Sequence, residues 1–291
     1  MQTPARKRVW KRVVLYALLL ATLWAMLRWF EQHQVYFPSR RIEWTPRASG
    51  WRFEDVRLTA SDGVALHGWF IPAPTNSPRA TWTVLLLHGN AGNISHRFSL
   101  CDFFRRLGVN VFALDYRGYG LSAGRPSEAG TYRDAEAAYH WLTQQGFADT
   151  NLIAYGESLG GGVAAELALR QTLGGLVLQS TFTSIPEVGA ELFPWLPVRW
   201  LSRISYDTHA KLGRIRAPVL ILHSRGDTLV RFHHAEENFA AANDPKLLCE
   251  IAGDHNDALA SLEGEERMRA GLEKFLSLLL TNGAPKSAPA R

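Results

Sequence analysis

The sequence predicts an α/β domain built on a mostly parallel β-sheet that is flanked by helices. From Trp51 onward, short runs rich in β-branched and aromatic residues alternate with longer amphipathic runs, which is the pattern of such a domain. Several of the short runs, such as Thr83 to Leu87, are continuously apolar, as strands buried on both faces are. The apolar fraction of 46% and the charged fraction of 20% exclude disordered and fibrous proteins.

The first elements of this domain are a β-hairpin and a buried strand. Trp51 to Thr59 and Ala65 to Ile71 are the two predicted strands of the hairpin, and Ser61-Asp62-Gly63 between them is a turn sequence. Pro72 to Pro78 is rich in turn residues and is predicted to be a loop. The strand Thr83 to Leu87 follows this loop.

Helices and strands then alternate to residue 280, and Gly108 and Gly146 end the first two helices of this series. The predicted helices are Ser95 to Leu107, Arg133 to Gln145, Gly160 to Arg170, Phe232 to Ala242 and Glu265 to Leu280. The predicted strands are Val109 to Leu114, Leu152 to Tyr155, Gly175 to Gln179, Val219 to His223 and Leu247 to Ile251. We therefore expect one domain over residues 51–280, followed by a disordered tail over 281–291 that is rich in proline and small residues.

Residues 181–212 interrupt this alternation. The segment is rich in aromatic residues and prolines, so we expect short helices rather than another strand and helix. It directly follows a strand of the sheet, where a lid over a pocket can be inserted; the alternative is a hydrophobic segment packed on the body. The aromatic residues of the segment that are candidates to contact a substrate are Phe182, Phe193, Trp195 and Trp200.

The N-terminus predicts a membrane anchor. Residues 1–12 form a basic tail, and residues 13–30 contain an uncharged apolar run, Val13 to Leu27. Arg28 can extend to the interface from the end of a helix, so the usable span approaches the roughly 20 residues that a membrane-crossing helix needs. The bulky, charged residues after the run differ from a signal-peptidase site, so an uncleaved signal anchor is favoured over a cleaved signal or a buried helix. Residues 31–50 are predicted to be a linker.

The charge distribution predicts the orientation of the anchor in the membrane and excludes nucleic acid as a partner. The chain has 32 basic and 27 acidic residues, and five of the basic residues, Arg6, Lys7, Arg8, Lys11 and Arg12, lie in the basic tail. The remaining charges balance, so the folded body carries no net charge with which to bind nucleic acid. The positive-inside rule predicts a cytoplasmic N-terminus and a body on the periplasmic or extracytoplasmic side.

The candidate nucleophile is Ser158. It lies in Gly156-Glu157-Ser158-Leu159-Gly160, which follows a predicted buried strand and opens a predicted helix. A Gly-x-Ser-x-Gly sequence in that context is typical of the nucleophile elbow, a sharp turn that exposes a reactive serine. The alternative is a structural glycine-rich turn.

A reactive serine needs a general base, and the base needs a carboxylate that orients it. His255 is the histidine after Ser158 that lies in a loop following the last predicted strand. Asp227 follows the strand Val219 to His223, at the carboxyl edge of the sheet. We therefore predict that Ser158, His255 and Asp227 act together; the rival acids are Asp207, Asp244 and Asp254.

An oxyanion hole requires two N–H groups near the nucleophile. The first is expected from Leu159, the residue after Ser158, and the second from the loop after the strand Thr83 to Leu87. Within that loop Asn90 is the first choice and Ala91 the second. His88 in the same loop is expected to brace it by hydrogen bonding.

Together these residues resemble the α/β-hydrolase superfamily, specifically its monoacylglycerol-lipase-like and serine-aminopeptidase-like branch, which includes membrane-anchored members. The resemblance rests on His88 to Asn93, Asp115 to Ser122, Gly156 to Gly160, Asp227 and His255. It extends over about residues 52 to 280 and implies an α/β-hydrolase fold with a short lid. In such proteins the turn matching Asp115 to Ser122 is a structural loop near the pocket.

The sequence therefore predicts a serine hydrolase of carboxylic esters or thioesters, with a small-molecule or lipid acyl substrate. The alternatives are an exopeptidase, in which Glu157, Glu187 or Glu191 would hold the substrate's amine, and a membrane-tethered binding protein without turnover. No cofactor and no metal are expected, because the glycine-rich elbow lacks a P-loop lysine and because the histidines and acids identified already have roles in the triad and the loops. Cys101 and Cys249 are expected to be free, a single disulfide being the alternative, and the oligomeric state is left open.

Overall fold

A computed structural model describes residues 4–283 and, among these, the side chains of residues 9–280. It divides into two compact units, Met1–Phe37 and Pro38–Arg291. The predicted tail over 281–291 overlaps the end of the last helix, Leu262–Gly283, and the rest of that tail lies outside the described residues.

The first unit is a single long helix, α1 (Pro4–Val35). Its segment Val9–Val35 has the length and apolar composition of a membrane-crossing helix, and no residue of its 18-residue apolar window is buried within the protein. The helix continues beyond the predicted anchor 13–30 and takes up the first residues of the predicted linker. Its continuation is explained by Glu31, Gln32 and Gln34, which favour helix, and by the absence of a breaker before Pro38.

The second unit alternates strands and helices along the chain. The strands, numbered in order from the short strand at the unit boundary, are β1 (Phe37–Pro38), β2 (Glu54–Thr59), β3 (Ala65–Ile71), β4 (Thr83–Leu87), β5 (Ala91–Gly92), β6 (Asn110–Asp115), β7 (Leu152–Glu157), β8 (Gly175–Gln179), β9 (Val219–Ser224) and β10 (Lys246–Ile251). The helices are α2 (Phe98–Leu107), α3 (Glu128–Gln144), α4 (Leu159–Arg170), α5 (Ile185–Leu192), α6 (Val198–Leu201), α7 (His209–Leu212), α8 (His233–Ala241) and α9 (Leu262–Gly283). Single 3₁₀ turns cover Pro46–Ser49, Ile94–Arg97 and Asp149–Asn151.

Eight of these strands form one sheet in the order β10-β9-β8-β7-β4-β6-β3-β2. Strand β3 runs antiparallel to both of its neighbours, and the other pairs are parallel. The antiparallel pair β2–β3 needs only the short turn at Gly63, whose φ is +83°, whereas the parallel pairs need the helical crossovers. This sheet confirms the mostly parallel α/β architecture that the sequence predicts.

The apolar core lies between the sheet and its helices. Every residue of β4, β6, β7, β8 and β9 is buried, as expected for strands covered on both faces. Helices α2 and α9 contribute Phe104 and Phe275 to this core, and the Phe104 ring lies 4.9 Å from that of Tyr155 on β7. Cys101 is buried there as a free thiol whose pKa burial raises to about 12, and Cys249 is also free.

Two helix starts differ from the sequence prediction because side chains cap them. The predicted helix from Ser95 is a 3₁₀ turn followed by α2, and the Asn93 side chain accepts a hydrogen bond from the Ser95 N–H at its start. Helix α3 begins at Glu128, five positions before the predicted Arg133 (128 against 133), because Ser127 accepts a bond from Gly130 N–H.

The segment 181–212 forms the short helices α5, α6 and α7, as the sequence indicates. The Glu128 carboxylate of α3 accepts hydrogen bonds from the N–H groups of Ser205 and Tyr206, each at 2.7 Å. These bonds attach the end of the segment to the body. Trp195 and Trp200 are exposed over 76% and 91% of their surface, so the tip of the segment presents two large aromatic side chains to its surroundings.

Candidate active site

Ser158 lies on the turn that joins β7 to α4, and its backbone is strained. Its φ of +52° and ψ of −116° are unfavourable for a residue with a side chain. The turn is held by two backbone hydrogen bonds, from Ser158 N–H to the Gln179 carbonyl of β8 and from Gly161 N–H to the Ser158 carbonyl. The surrounding structure therefore fixes the serine at the carboxyl edge of the sheet.

The glycines beside Ser158 are required because other backbone atoms lie too close for a side chain. A Cβ at Gly156 would lie 2.4 Å from the Gly160 carbonyl oxygen, and a Cβ at Gly160 would lie 2.0 Å from the carbonyl oxygen of Leu87. Both distances are well inside van der Waals contact. Helix α4 can thus begin directly against the end of β4 only with glycine at these positions.

His255 lies between Ser158 and Asp227. Its Nε2 is 2.9 Å from Ser158 Oγ, and its Nδ1 is 2.8 Å from Asp227 Oδ2. The histidine is in the loop after β10, where the sequence places it, and its backbone N–H donates to the Asp254 carboxylate at 2.7 Å. Asp254 also accepts bonds from Thr228. The structure brings the three predicted residues together and gives the rival acid Asp254 a role in holding the loop.

Asp227 lies in a buried set of hydrogen bonds at the end of β9. Its Oδ1 accepts bonds from the N–H groups of Leu229 and Val230 at 3.0 Å and 2.7 Å. Burial acts to raise the pKa of Asp227, but hydrogen bonds from His223 and His255 outweigh it and hold that pKa below its ordinary value. Asp227 is therefore a carboxylate at neutral pH, able to orient the imidazole and to stabilise its protonated form.

The loop after β4, which contains Asn90 and Ala91, lies next to the nucleophile. A Cβ at Gly89 would be 3.6 Å from the Cβ of Ser158. The Asn90 carbonyl accepts a bond from the Tyr119 hydroxyl at 2.7 Å, which fixes the orientation of the adjacent peptides. Leu159 is the first residue of α4, and the N–H groups of a helix's first turn have no partner within the helix. Both predicted sources of oxyanion donors thus flank Ser158.

His88 is a buried, neutral support for this loop. Its Nδ1 lies 2.7 Å from the Gly89 carbonyl oxygen, to which it donates, and its own carbonyl accepts a bond from Tyr116. Burial, reinforced by the charge of Arg97, lowers the pKa of His88 to about 4. A histidine that stays neutral and bonds its own loop braces the backbone, as the sequence predicts.

The turn Asp115 to Ser122 is held by its own hydrogen bonds. Asp115 is fully buried and accepts the Ile94 N–H at 2.9 Å. Arg117 forms ion pairs with Asp134 at 2.8 Å and with Asp62 at 2.7 Å. These contacts give the turn a structural role, in line with the resemblance noted from the sequence.

Sequence reasoning missed Arg97, which joins the elbow to the loop after β4. Its Nε donates to the Glu157 carboxylate at 2.6 Å, and one of its terminal nitrogens donates to the Ala91 carbonyl at 3.2 Å. Burial acts to raise the pKa of Glu157, but the charge and hydrogen bond of Arg97 outweigh it and lower that pKa. Glu157, the acidic residue beside Ser158, indicates that a cationic partner is needed. The sequence does not show that Arg97 is this partner.

We expect Arg97→Met to lower kcat by about 10- to 100-fold with a smaller change in KM, because the loop loses one support of its geometry. The free energy of unfolding should also fall by about 3 kcal/mol, since Glu157 becomes a buried charge without its partner. Ester hydrolysis and urea unfolding measure the two effects. The double variant Arg97→Met/Glu157→Gln should recover stability without recovering kcat. Recovery of both would show that Arg97 acts on folding alone.

The aromatic residues proposed as lid contacts divide into two groups. Phe182 is buried, with 3% of its surface exposed, and it lies directly after β8 in the body. Trp195 and Trp200 lie at the surface, and Phe193 is half-buried. Phe182 is therefore a buried residue of the body, and the other three belong to the part of the segment that is available to contact another molecule.

A family model described as serine aminopeptidase, S33, matches residues 78–207. An uncharacterized protein of Mycobacterium tuberculosis is 40% identical over 270 residues, which cover 91% of this chain and 94% of that protein. The α/β hydrolase domain-containing protein WAV2 of Arabidopsis thaliana is 34% identical, with 76% of this chain and 79% of the relative covered. Among solved structures, the Pyrococcus furiosus esterase Pf2001 has a TM-score of 0.67 at 25% identity, and the match covers 83% of this chain and 98% of the esterase.

Proposed function

Because this chain belongs to the α/β-hydrolase superfamily, we propose that it is a serine hydrolase that cleaves carboxylic esters through an acyl-enzyme on Ser158. The observation that carries this proposal is the continuous set of hydrogen bonds from Ser158 Oγ through His255 to Asp227. Such a set can activate a hydroxyl that is otherwise a poor nucleophile at neutral pH.

In the first step, His255 Nε2 takes the proton of Ser158 Oγ as that oxygen attacks the acyl carbonyl carbon. The histidine becomes an imidazolium, which the Asp227 carboxylate stabilises across the 2.8 Å contact to Nδ1. The two backbone donors on Asp227 Oδ1 prevent the carboxylate from turning away. The arrangement can thus accept a proton without moving heavy atoms.

The negative charge that develops on the carbonyl oxygen needs N–H donors at its final position. We assign these donors to Leu159 and Asn90, with Ala91 as the second choice for the latter. The His255 imidazolium then protonates the leaving alcohol, and the C–O bond to it breaks. Water attacks the acyl-enzyme in the same manner, and Ser158 is restored.

Esters are favoured over peptide N-termini because the candidate amine-binding carboxylates are already engaged. Glu157 pairs with Arg97 at 2.6 Å. Glu187 forms a two-point contact with Arg199 at 2.9 Å and 2.7 Å, and Glu191 lies against two histidines. An aminopeptidase needs a free carboxylate for the substrate's ammonium group, and these three carboxylates are engaged. The exopeptidase is kept as the alternative because the matching family model is described as a serine aminopeptidase.

A substrate panel tests the reaction class. We expect the purified full-length protein in detergent to hydrolyse p-nitrophenyl esters of increasing chain length, and to hydrolyse thioesters of the same acyl groups. Aminoacyl p-nitroanilides should be turned over at least about 100-fold more slowly per kcat/KM, a difference of about 2.7 kcal/mol in transition-state binding. Preference for the anilides would identify an exopeptidase, and no turnover of either group would favour the binding protein.

We propose that α1 anchors the protein in a membrane, with its N-terminus in the cytoplasm and the hydrolase body on the other side. The proposal rests on the exposed apolar span Val9–Val35 and on the basic residues that precede the apolar run. A lipid acyl ester within or beside the bilayer would then be the accessible substrate class.

Removal of residues 1–37 should release the body from membranes while leaving its ester hydrolysis within a few-fold of the full-length value. The expectation follows because Pro38–Arg291 is a compact unit by itself and contains all the proposed catalytic residues. Carbonate extraction and flotation of cell membranes measure the location of both forms. A truncated body that still floats with membranes would show that α1 is not the anchor.

A further inference from the structure

A second cluster of ionisable side chains lies outside the proposed catalytic site, where α5 meets α8. Glu191 is near the end of α5, and His233 and His234 begin α8. Glu191 Oε1 is 3.0 Å from His233 Nε2 and 3.4 Å from His234 Nε2. The ligand atoms of the three residues all lie within 4.8 Å of one another.

His234 is the member of this cluster that most needs a further partner. Only 1% of its surface is exposed, and its Nε2 has no hydrogen-bond partner within the described residues. A buried polar atom without a partner costs free energy, so its presence in a native structure requires an explanation. This nitrogen lies 3.4 Å from the nearer Glu191 carboxylate oxygen and forms no hydrogen bond with it.

The donor set and its spacing fit a divalent transition metal. Two imidazole nitrogens and one carboxylate oxygen are ligands that Zn²⁺ takes at about 2.0–2.2 Å. Tetrahedral coordination at those bond lengths separates neighbouring donor atoms by about 3.3 Å. The separations from Glu191 to His233 and His234, 3.0 Å and 3.4 Å, lie on either side of this value.

The ring of His234 is held in place by Thr183. Its Nδ1 lies 2.9 Å from the Thr183 hydroxyl oxygen and accepts the Thr183 backbone N–H at 3.3 Å. These contacts fix the ring with its Nε2 on the side of Glu191. With Nε2 on a metal, Nδ1 would carry the proton and donate it to the hydroxyl, the nearer of its two partners.

We propose that Glu191, His233 and His234 bind one Zn²⁺ ion that joins the 181–212 segment to α8. Glu191 comes from the segment and the histidines from the body, so the ion would hold α5 in place. Helix α8 follows the loop that contains Asp227, so the metal would also brace the acid side of the proposed catalytic site. The site goes beyond the proposed hydrolysis and does not depend on it.

Without a metal, the same residues would form an ion-paired cluster. Arg231 lies 3.6 Å from the second oxygen of Glu191, and His233, if protonated, would pair with the first. If the residues form only this ion-paired cluster, added zinc will not bind to them. Direct measurement of zinc binding therefore distinguishes the ion-paired cluster from a zinc site.

The test is a zinc titration of full-length protein in detergent, stripped with EDTA and placed in competition with a chromogenic chelator. We expect one Zn²⁺ per chain, a rise in the thermal midpoint on zinc addition, and no competition by Mg²⁺, which prefers oxygen ligands. Glu191→Gln and His233→Ala should each weaken zinc binding at least about tenfold and remove the thermal shift. These two changes avoid the fully buried His234, whose replacement can disturb folding.

The control is Glu237→Gln, which changes an exposed carboxylate on the same helix and should leave zinc binding unchanged. If zinc binds elsewhere, for example at His255, the Glu191→Gln variant will still bind it. That result would overturn the assignment. Absence of stoichiometric binding in the unmodified protein would overturn it as well. Neither readout uses hydrolysis, so failure here is independent of failure of the proposed activity.

Discussion

Replacement of Ser158 by alanine is expected to lower kcat for p-nitrophenyl ester hydrolysis by about 10⁶-fold, the effect of removing the nucleophile from a serine hydrolase. The same change should abolish covalent labelling by a fluorophosphonate probe. Both effects follow because no other described hydroxyl is hydrogen-bonded to His255 Nε2. The fold should persist, since alanine fits the space of serine and keeps the same backbone bonds.

The control for this variant is Ser99→Ala, which removes an exposed serine hydroxyl on α2. It should retain full hydrolysis and full labelling, and circular dichroism should show the same unfolding midpoint for both variants to within a few degrees. Labelling that survives in Ser158→Ala would place the nucleophile elsewhere and would overturn the proposed mechanism.

Replacement of Asp227 by asparagine should lower kcat by about 10⁴-fold at neutral pH. The cause can be read from the contacts of Asp227. The N–H groups of Leu229 and Val230 both point at Oδ1, so the amide oxygen of asparagine takes that position. The amide NH₂ then faces His255 Nδ1, which must accept a bond. The proton moves to Nε2, which can no longer receive the proton of Ser158.

Asp254→Asn is the matched control, because Asp254 adjoins His255 and is the rival acid in the sequence. Its carboxylate accepts bonds from backbone N–H groups, which an amide oxygen can also accept, so kcat should change by less than about tenfold. A pH-rate profile of both variants separates the two roles. If Asp254→Asn were the more damaging change, the assignment of the acid would be wrong.

The strands of the body were predictable because buried strands have an unambiguous pattern. Thr83–Leu87 and Gly175–Gln179 have the predicted boundaries, since continuous apolar runs end where polar or turn residues begin. Ser158, Asp227 and His255 were selected because each follows a predicted strand in the chain order of this fold. Parallel strands bring their carboxyl ends to one edge of the sheet, so the sequence order carried the spatial information.

The contacts that the sequence did not predict join residues by tertiary packing alone. Arg97 and Glu157 are 60 residues apart, and no periodicity relates a residue in a 3₁₀ turn to one at the end of a distant strand. Glu191 and His233 are similarly brought together by how the 181–212 segment packs on α8. The length of α1 was underestimated because its end depends on the position of the first helix breaker rather than on the end of its apolar run.

The position of β10 has a consequence for how activity is lost on heating. This strand lies at the edge of the eight-stranded sheet, where β9 is its one neighbour among the described strands, and most of its residues are half-buried. Edge elements open locally at lower free energy than central strands do. The loop that carries His255 follows β10, whereas Ser158 follows a central strand. Fraying of this edge would therefore separate the base from a nucleophile that stays in place, so we expect heating to abolish hydrolysis before the remainder of the sheet unfolds.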